Sequence, residues 1–251
     1  MKTRFLIALA TILVSAFAAE AATVDEIIAQ FPAQDAATAN SLFEQLLAMD
    51  DDAIEGLCTR LVPLGAGDDN AVRYALTGLA RYVSGPGVEA GREVVEEALL
   101  EGLEANTDAE CRAFLLRQLQ QCGTDESVKS VARLLKDEAN ASHAILVLDT
   151  LGTEKANRAL TKGLRTKSSV TQLQILSALA NNGENPKAAK AARKRLAANP
   201  AADEQVHLLS ILVRLEGKGA EEDVARALKS DQPRVAQAAA GFAKEIGIAA
   251  E

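Results

Sequence analysis

The sequence predicts an all-α fold: a right-handed α-solenoid, a superhelix of stacked antiparallel helix pairs. Three observations predict it. Gly123, Gly152, Gly183, Gly217 and Gly247 recur at intervals of 29, 31, 34 and 30 residues. Apolar residues stand four and eight positions before each: Leu119 and Leu115, Leu148 and Ala144, Leu179 and Ile175, Val213 and Leu209, Ala243 and Ala239. A second amphipathic run follows each of the first four glycines. Helix, glycine stop, short turn and helix, repeated at near-constant length, is the sequence pattern of a helical repeat array. Composition agrees, since Ala and Leu dominate, aromatic residues make up 3% and Trp is absent. Val and Ile fall at helical spacing and never alternate, which leaves strands without support.

Taken in order, the first 21 residues stand outside the fold. Lys2 and Arg4 precede an apolar run from Phe5 to Ala18, and Ala19-Glu20-Ala21 fits a small-x-small cleavage site. Ala16-Phe17-Ala18 is the other candidate site. The expectation is a signal peptide over 1–21, cleaved near Ala21, and a periplasmic or secreted protein. No later run reaches the roughly 20 apolar residues of a membrane-spanning helix. Periodicity then places helices at 24–31, 38–49, 52–62, 69–84, 88–105, 108–122, 125–137, 141–151, 154–166, 169–181, 186–198, 203–216, 220–230 and 233–246. Thr107-Asp108-Ala109-Glu110 and Thr124-Asp125-Glu126-Ser127 supply oxygen acceptors at helix starts. Pro86, Pro186, Pro200 and Pro233 fall in turns or first helical turns, where a missing N–H costs little. Residues 22–105 form a less regular array and 106–251 a regular one. The Gly85-Pro86-Gly87 break lies within one continuous solenoid.

Two helix starts resemble the HEAT repeat of the short, phycobilisome-lyase type. One is Asp69-Asn70-Ala71-Val72-Arg73-Tyr74-Ala75-Leu76; the other is Gln232-Pro233-Arg234-Val235-Ala236-Gln237-Ala238-Ala239, closing with Ile246-Gly247. The intervening repeats lack the valine–arginine pair and match by length alone. A second likeness rests on Leu64-Gly65-Ala66-Gly67-Asp68-Asp69, Arg73-Tyr74-Ala75-Leu76-Thr77-Gly78-Leu79 and Ala113-Phe114-Leu115-Leu116-Arg117-Gln118-Leu119. These stretches resemble exported HEAT-repeat proteins of Bacteroidetes and Planctomycetes-type bacteria. In that group the array sometimes precedes a jelly-roll-like 3-keto-disaccharide hydrolase domain. The resemblance implies an armadillo-like architecture and, over residues 1–251, no hydrolase domain.

Charge is distributed unevenly. Between Ala22 and Cys122 stand 18 acidic and 6 basic residues, all of the latter arginine; from Gly123 to Glu251 there are 16 acidic and 19 basic. In the second half the cations fall on the second helix of successive repeats. Lys129, Arg133 and Lys136 form one stripe; Lys155, Arg158, Lys162 and Arg165 a second; Lys187, Lys190 and Lys194 a third; Arg226 and Lys229 add a weaker step. Residues three and four apart share a helix face. Ala156, Leu160, Gly163 and Leu164 mark the opposite face of the second stripe. In HEAT geometry second helices line the concave surface, so the stripes would form a basic ridge that binds an anion. The competing reading is a lysine-rich solvated face, which any soluble helix needs. Candidate anions are an acidic polysaccharide, a lipid head group, or the acidic half of a second copy. Nucleic acid is disfavoured by export, net charge −8 and the scarcity of aromatic stacking residues.

Catalytic and metal-binding patterns are sparse. His143 and His207 have no ligand-spaced partner and are expected in helical or capping roles. Asp50-Asp51-Asp52 and Asp68-Asp69-Asn70 precede helices, where capping explains them better than a cation does. Glu93, Glu96, Glu97, Glu101 and Glu104 read as a solvated acidic face, and Asp149 and Arg117 as candidates for a bridge between repeats. Cys111 and Cys122 are about 16 Å apart along one helix, too far to bond. Cys58 has the sequence distance to pair with either, or all three are small buried hydrophobes. Asn140-Ala141-Ser142 forms a glycosylation sequon of little weight in a chain that reads as bacterial. No metal, cofactor or catalytic residue is expected. The reading is a non-catalytic exported scaffold that binds another exported protein or an anionic polymer. The alternatives are an accessory enzyme of sugar breakdown, a lyase-like HEAT protein, and a structural spacer in the envelope.

Overall fold

The computed structural model describes residues 22–49 and 51–248. The expected signal peptide over 1–21 lies outside them, as do Asp50 and the side chain of Asp51 from the first acidic cluster. Among the described residues the fold is all-helical, without strands. In order, the helices are α1 (Val24–Ile28), α2 (Ala36–Leu47), α3 (Asp51–Thr59), α4 (Asn70–Tyr82), α5 (Glu89–Ala105), α6 (Ala109–Cys122) and α7 (Val128–Arg133). There follow α8 (Ala141–Leu151), α9 (Glu154–Gly163), α10 (Ser169–Asn181), α11 (Pro186–Leu196), α12 (Ala202–Glu216), α13 (Glu221–Leu228) and α14 (Pro233–Ile246). No described helix is long and apolar enough to cross a membrane.

Apolar stripes dictate how the helices associate. In α6, Cys111, Phe114, Leu115, Leu119 and Cys122 are buried; in α8, Ala144, Ile145 and Leu148; in α10, Ile175, Leu176 and Leu179; in α12, Leu208, Leu212 and Leu215. Each stripe packs on neighbours before and after it, so α4, α6, α8, α10, α12 and α14 form a continuous row. Against this row lie α5 on α6, α7 and α9 on α8, α11 on α10 and α12, and α13 on α14. One hydrophobic core runs from Ile27 to Ile246.

The glycine stops act by two mechanisms. Gly152 (φ 60°) and Gly247 (φ 75°) close α8 and α14 in the left-handed region, which side chains strain to adopt. Gly123 closes α6 in extended backbone instead (φ −61°); a Cβ there would stand 2.5 Å from the Leu119 carbonyl oxygen. The run expected as one helix over 125–137 is divided. A 3-10 turn at Asp125–Ser127 leads into α7, and a second at Leu134–Lys136 ends it.

That division coincides with a polar clasp. Glu96 on α5 is 4% exposed, not solvated as the surrounding acidic residues suggested. Its Oε1 accepts from the Thr124 N–H at 2.8 Å, the Ser127 N–H at 3.0 Å and the Ser127 hydroxyl. One turn earlier, Arg92 donates to the carbonyls of Cys122 (2.6 Å) and Gly123 (2.7 Å). Helix α5 thus holds a cation at the negative end of α6 and an anion at the positive start of the next helical segment. Further along, Asp125 accepts from the Thr153 hydroxyl, and Asn185 donates to Thr161 Oγ1 at 2.9 Å. Arg193 on α11 binds Glu216, the Gly219 carbonyl and the buried Asp223. Each contact links the second helix of one pair to the turn of the next.

Other expectations are corrected by the same geometry. Asp69 makes no side-chain cap on α4; it accepts from the Val62 N–H at 2.9 Å and pairs with Arg73. Arg73 also forks onto Glu110 at 2.9 Å and lies over the Phe114 ring. Asp149 bridges to the α10 end through the Asn181 and Asn182 amides, both 2.9 Å, whereas Arg117 is exposed and stacks near Phe114. Both histidines stand within helices as expected, His143 in α8 and His207 in α12. Asn140 is buried, which closes the sequon to modification in the folded chain.

Two predictions follow from this packing. Glu96→Ala strands two N–H groups and a hydroxyl, and equilibrium urea unfolding should show a loss of about 2–4 kcal/mol; Glu96→Gln, which keeps an acceptor oxygen, should lose less. Burial first, and then the Arg117 guanidinium, hold the His143 imidazole below its ordinary pKa. The unfolded chain therefore takes up this proton at higher pH than the folded one. The associated stability is intact above the unfolded pKa of about 6.5 and is lost as pH falls below it. Thermal unfolding between about pH 7.5 and 5.5 should show a falling Tm in wild type and a flatter profile in His143→Gln.

Candidate functional site

The structure places a groove of about 1140 Å³ between α7 and α9. It brings together Lys129, Arg133, Lys136, Lys155, Arg158, Lys162 and Arg165, seven of the ten expected ridge residues. Lys167, in the turn after α9, also lines it, and Glu138 is the carboxylate among the lining residues. The sequence reading missed Lys167 because it lies beyond the helical spacing of the α9 stripe. All these cations are exposed except Lys155, which is half-buried.

Val128, Ala132 and Leu135 from one wall and Ala159 and Gly163 from the other add apolar and small lining, with Ala141 and the hydroxyl residues Thr166, Ser168 and Thr171 completing it. Gly163 permits the close approach of α9, since a Cβ there would stand 2.9 Å from Leu135 Cδ1 and 3.1 Å from Ile175 Cδ1. Gly163 therefore lines the groove beside Lys162, instead of lying wholly on the opposite face with the buried Ala156 and Leu160.

Three of the cations have partners. Arg133 meets Glu104 at 2.9 Å, Lys155 meets Glu126 at 3.6 Å, and Arg158 meets Glu154 at 2.5 Å. These pairs are largely exposed and worth about 0–1 kcal/mol each, so an anionic ligand can replace them at small cost. Lys129, Lys136, Lys162, Arg165 and Lys167 make no salt bridge with the described residues. The arrangement can concentrate and hold negative charge, with screening by salt as a direct consequence.

Lys187, Lys190 and Lys194 are exposed on α11 and do not line the groove. Whereas α7 packs directly on α9, α11 seats on α10 and α12, so its stripe does not continue the groove as one ridge. Arg226 lines a separate 580 Å³ pocket with Arg193, Asp223 and Glu222. There Arg193 is already occupied by Glu216 and Asp223, and this pocket carries mixed charge.

Three other groupings contain reactive or ligating side chains. Asp108, Glu110 and Cys111 lie close enough to share a cation. However, Asp108 accepts from the Glu110 and Cys111 N–H groups, and Glu110 is held by Arg73. His207 Nε2 lies 2.7 Å from Ser177 Oγ, a pairing the sequence spacing did not reveal. The Ser177 hydroxyl donates to the Leu173 carbonyl at 3.0 Å. That geometry does not activate a serine nucleophile. The three thiols are unpaired and buried. Burial pushes Cys58 and Cys122 up to about 12 and Cys111 to about 11, opposite to the direction a nucleophilic thiolate requires.

No family model matches this chain, and no curated protein does so either. Among solved structures, it is similar to two engineered proteins of the Northeast Structural Genomics Consortium. One has a TM-score of 0.43 at 21% identity, covering 89% of this chain and 68% of the other. The second has a TM-score of 0.37 at 19% identity, covering 89% and 96%. Likeness at this level assigns neither family nor function.

The buried thiols generate a direct check. Ellman's reagent at about pH 8 should leave all three cysteines essentially unmodified in the folded protein and titrate all three after denaturation.

Proposed function

We propose that this protein is a non-catalytic, exported interaction scaffold whose α7–α9 groove binds an anionic partner. The observation that carries the reading is the convergence of cations from two successive helix pairs on one groove. Repetition alone would produce solvated stripes; a shared cleft with one carboxylate in its lining gives those stripes a common ligand. We further infer that the helix row continues a right-handed superhelix of the HEAT and armadillo kind. That inference is supported by the repeat length, the Val72-Arg73 and Arg234-Val235 motifs, and the packing of each first helix on the next. The Lys2/Arg4 leader and the Ala19-Glu20-Ala21 site support export to the periplasm or beyond.

An electrostatic groove has a plain test. Wild-type protein should bind immobilised polyglutamate or heparin at low ionic strength and elute as salt rises, because exposed charges are screened beyond about 10 Å at 0.1 M. The variant with Lys155, Arg158, Lys162 and Arg165 changed to Glu should lose at least about tenfold in affinity; removing several charge contacts of a few tenths of a kcal/mol to 1 kcal/mol each suffices. Reversal of Lys187, Lys190 and Lys194, outside the groove, should have a much smaller effect. Equal retention of wild type and both variants would reduce the cations to a solvated face.

A further inference from the structure

The lining of the groove specifies more than charge. On the α7 wall, each cation directly follows an apolar or small lining residue: Val128-Lys129, Ala132-Arg133, Leu135-Lys136. On the α9 wall the order is reversed: Arg158-Ala159, Lys162-Gly163. Consecutive helix positions are turned by about 100°. Reversing the order between two adjacent helices therefore directs both apolar stripes to a shared floor and both cation stripes to its rims. A purely hydrophilic polyanion would use the rims and leave the floor unused.

Resting on the anion-binding reading above, we propose that the natural occupant is an acidic amphipathic helix of a partner protein. Its apolar face would lie on the Ala132, Leu135, Ala159 and Gly163 floor, and its flanking carboxylates would meet the two rims. The dimensions suit this, since Lys155 to Gly163 extends about 12 Å along α9, a little over two helical turns of ligand, and Arg165 and Lys167 carry the rim on into the following turn. Helix-in-groove recognition uses this combination of an apolar floor and polar rims. A bilayer surface fits less well, because a flat membrane needs apolar side chains that project. The large apolar residues that do project, Leu64, Tyr74, Leu146 and Val170, do not line the groove. The chain's own N-terminal segment is unsuitable, since Lys2 and Arg4 outweigh its one carboxylate, Glu20, and leave it a net charge of the same sign as the rims.

The test uses four probes against residues 22–251: a labelled peptide of about 14 residues with Leu on one helical face and Glu flanking it, its scrambled isomer, polyglutamate, and phosphatidylglycerol vesicles. The ordered peptide should bind at least about tenfold tighter than the scrambled one, equivalent to burying roughly two methylene groups. Ala132→Gln/Ala159→Gln, with unfolding curves confirming a folded protein, should abolish that preference while retaining polyglutamate binding. Lys129→Glu/Lys162→Glu should weaken binding of both peptides and of polyglutamate. Equal affinity for ordered and scrambled peptides, or a preference indifferent to the floor variant, would overturn the amphipathic occupant and leave the anion groove standing. Vesicle binding that depends on the floor and exceeds peptide binding would replace the helix by a lipid surface. Failure of all four probes to bind would sink the anion-binding reading itself.

Discussion

The turn between helices is where this structure is most constrained. A helix end leaves backbone groups without intrahelical partners, and burying such an end demands replacements. Arg92 and Glu96 provide them from the preceding pair: the guanidinium takes the last carbonyls of α6, and the carboxylate takes the N–H groups of Thr124 and Ser127. The carboxylate itself is inside the protein, so three donors must compensate its lost hydration. The position of α7 depends on that exchange, and the α7 wall of the groove depends on α7.

The same logic recurs with weaker chemistry along the chain. Asp125 and the Thr153 hydroxyl, then Thr161 and Asn185, connect successive pairs through less charged groups. Arg193 restores a charged version among Glu216, Gly219 and Asp223. Apolar burial brings the helices together, since it is roughly proportional to area and has no direction. Hydrogen bonds at the turns then select one register, because an unmatched buried partner costs about 1–3 kcal/mol. On the exposed side of the first helices a looser set repeats the linkage: Gln120 to Thr150, Ser142 to Gln174, and Asp149 to Asn181, which also meets Arg214.

Much of this was legible in sequence. The bounds of α8, α10 and α14 coincide with the expected runs because apolar spacing and a terminal glycine or asparagine agree there. The basic stripes of α7 and α9 were readable because i, i+3 and i+4 spacing fixes a face without knowledge of neighbours. What spacing could not supply was which stripes meet. Lys187, Lys190 and Lys194 have the same pattern as the groove cations, yet α11 packs elsewhere. Glu96 was hidden among Glu93, Glu97, Glu101 and Glu104. The available signal was its spacing of three and seven from the buried Leu99 and Leu103, which puts it on the apolar stripe. Asp69 misled in the other direction: a helix start suggests a cap, but Arg73 one turn later offers a fully charged partner.

The proposed joint action of α7 and α9 as one anion-binding surface can be read by hydrogen–deuterium exchange with and without saturating polyglutamate. Protection concentrated in residues 128–136 and 154–167, with α3, α5 and α11 unchanged, is the expected result. Protection confined to α11, or an exchange pattern unaltered across the whole chain under conditions where binding is independently saturated, would contradict it.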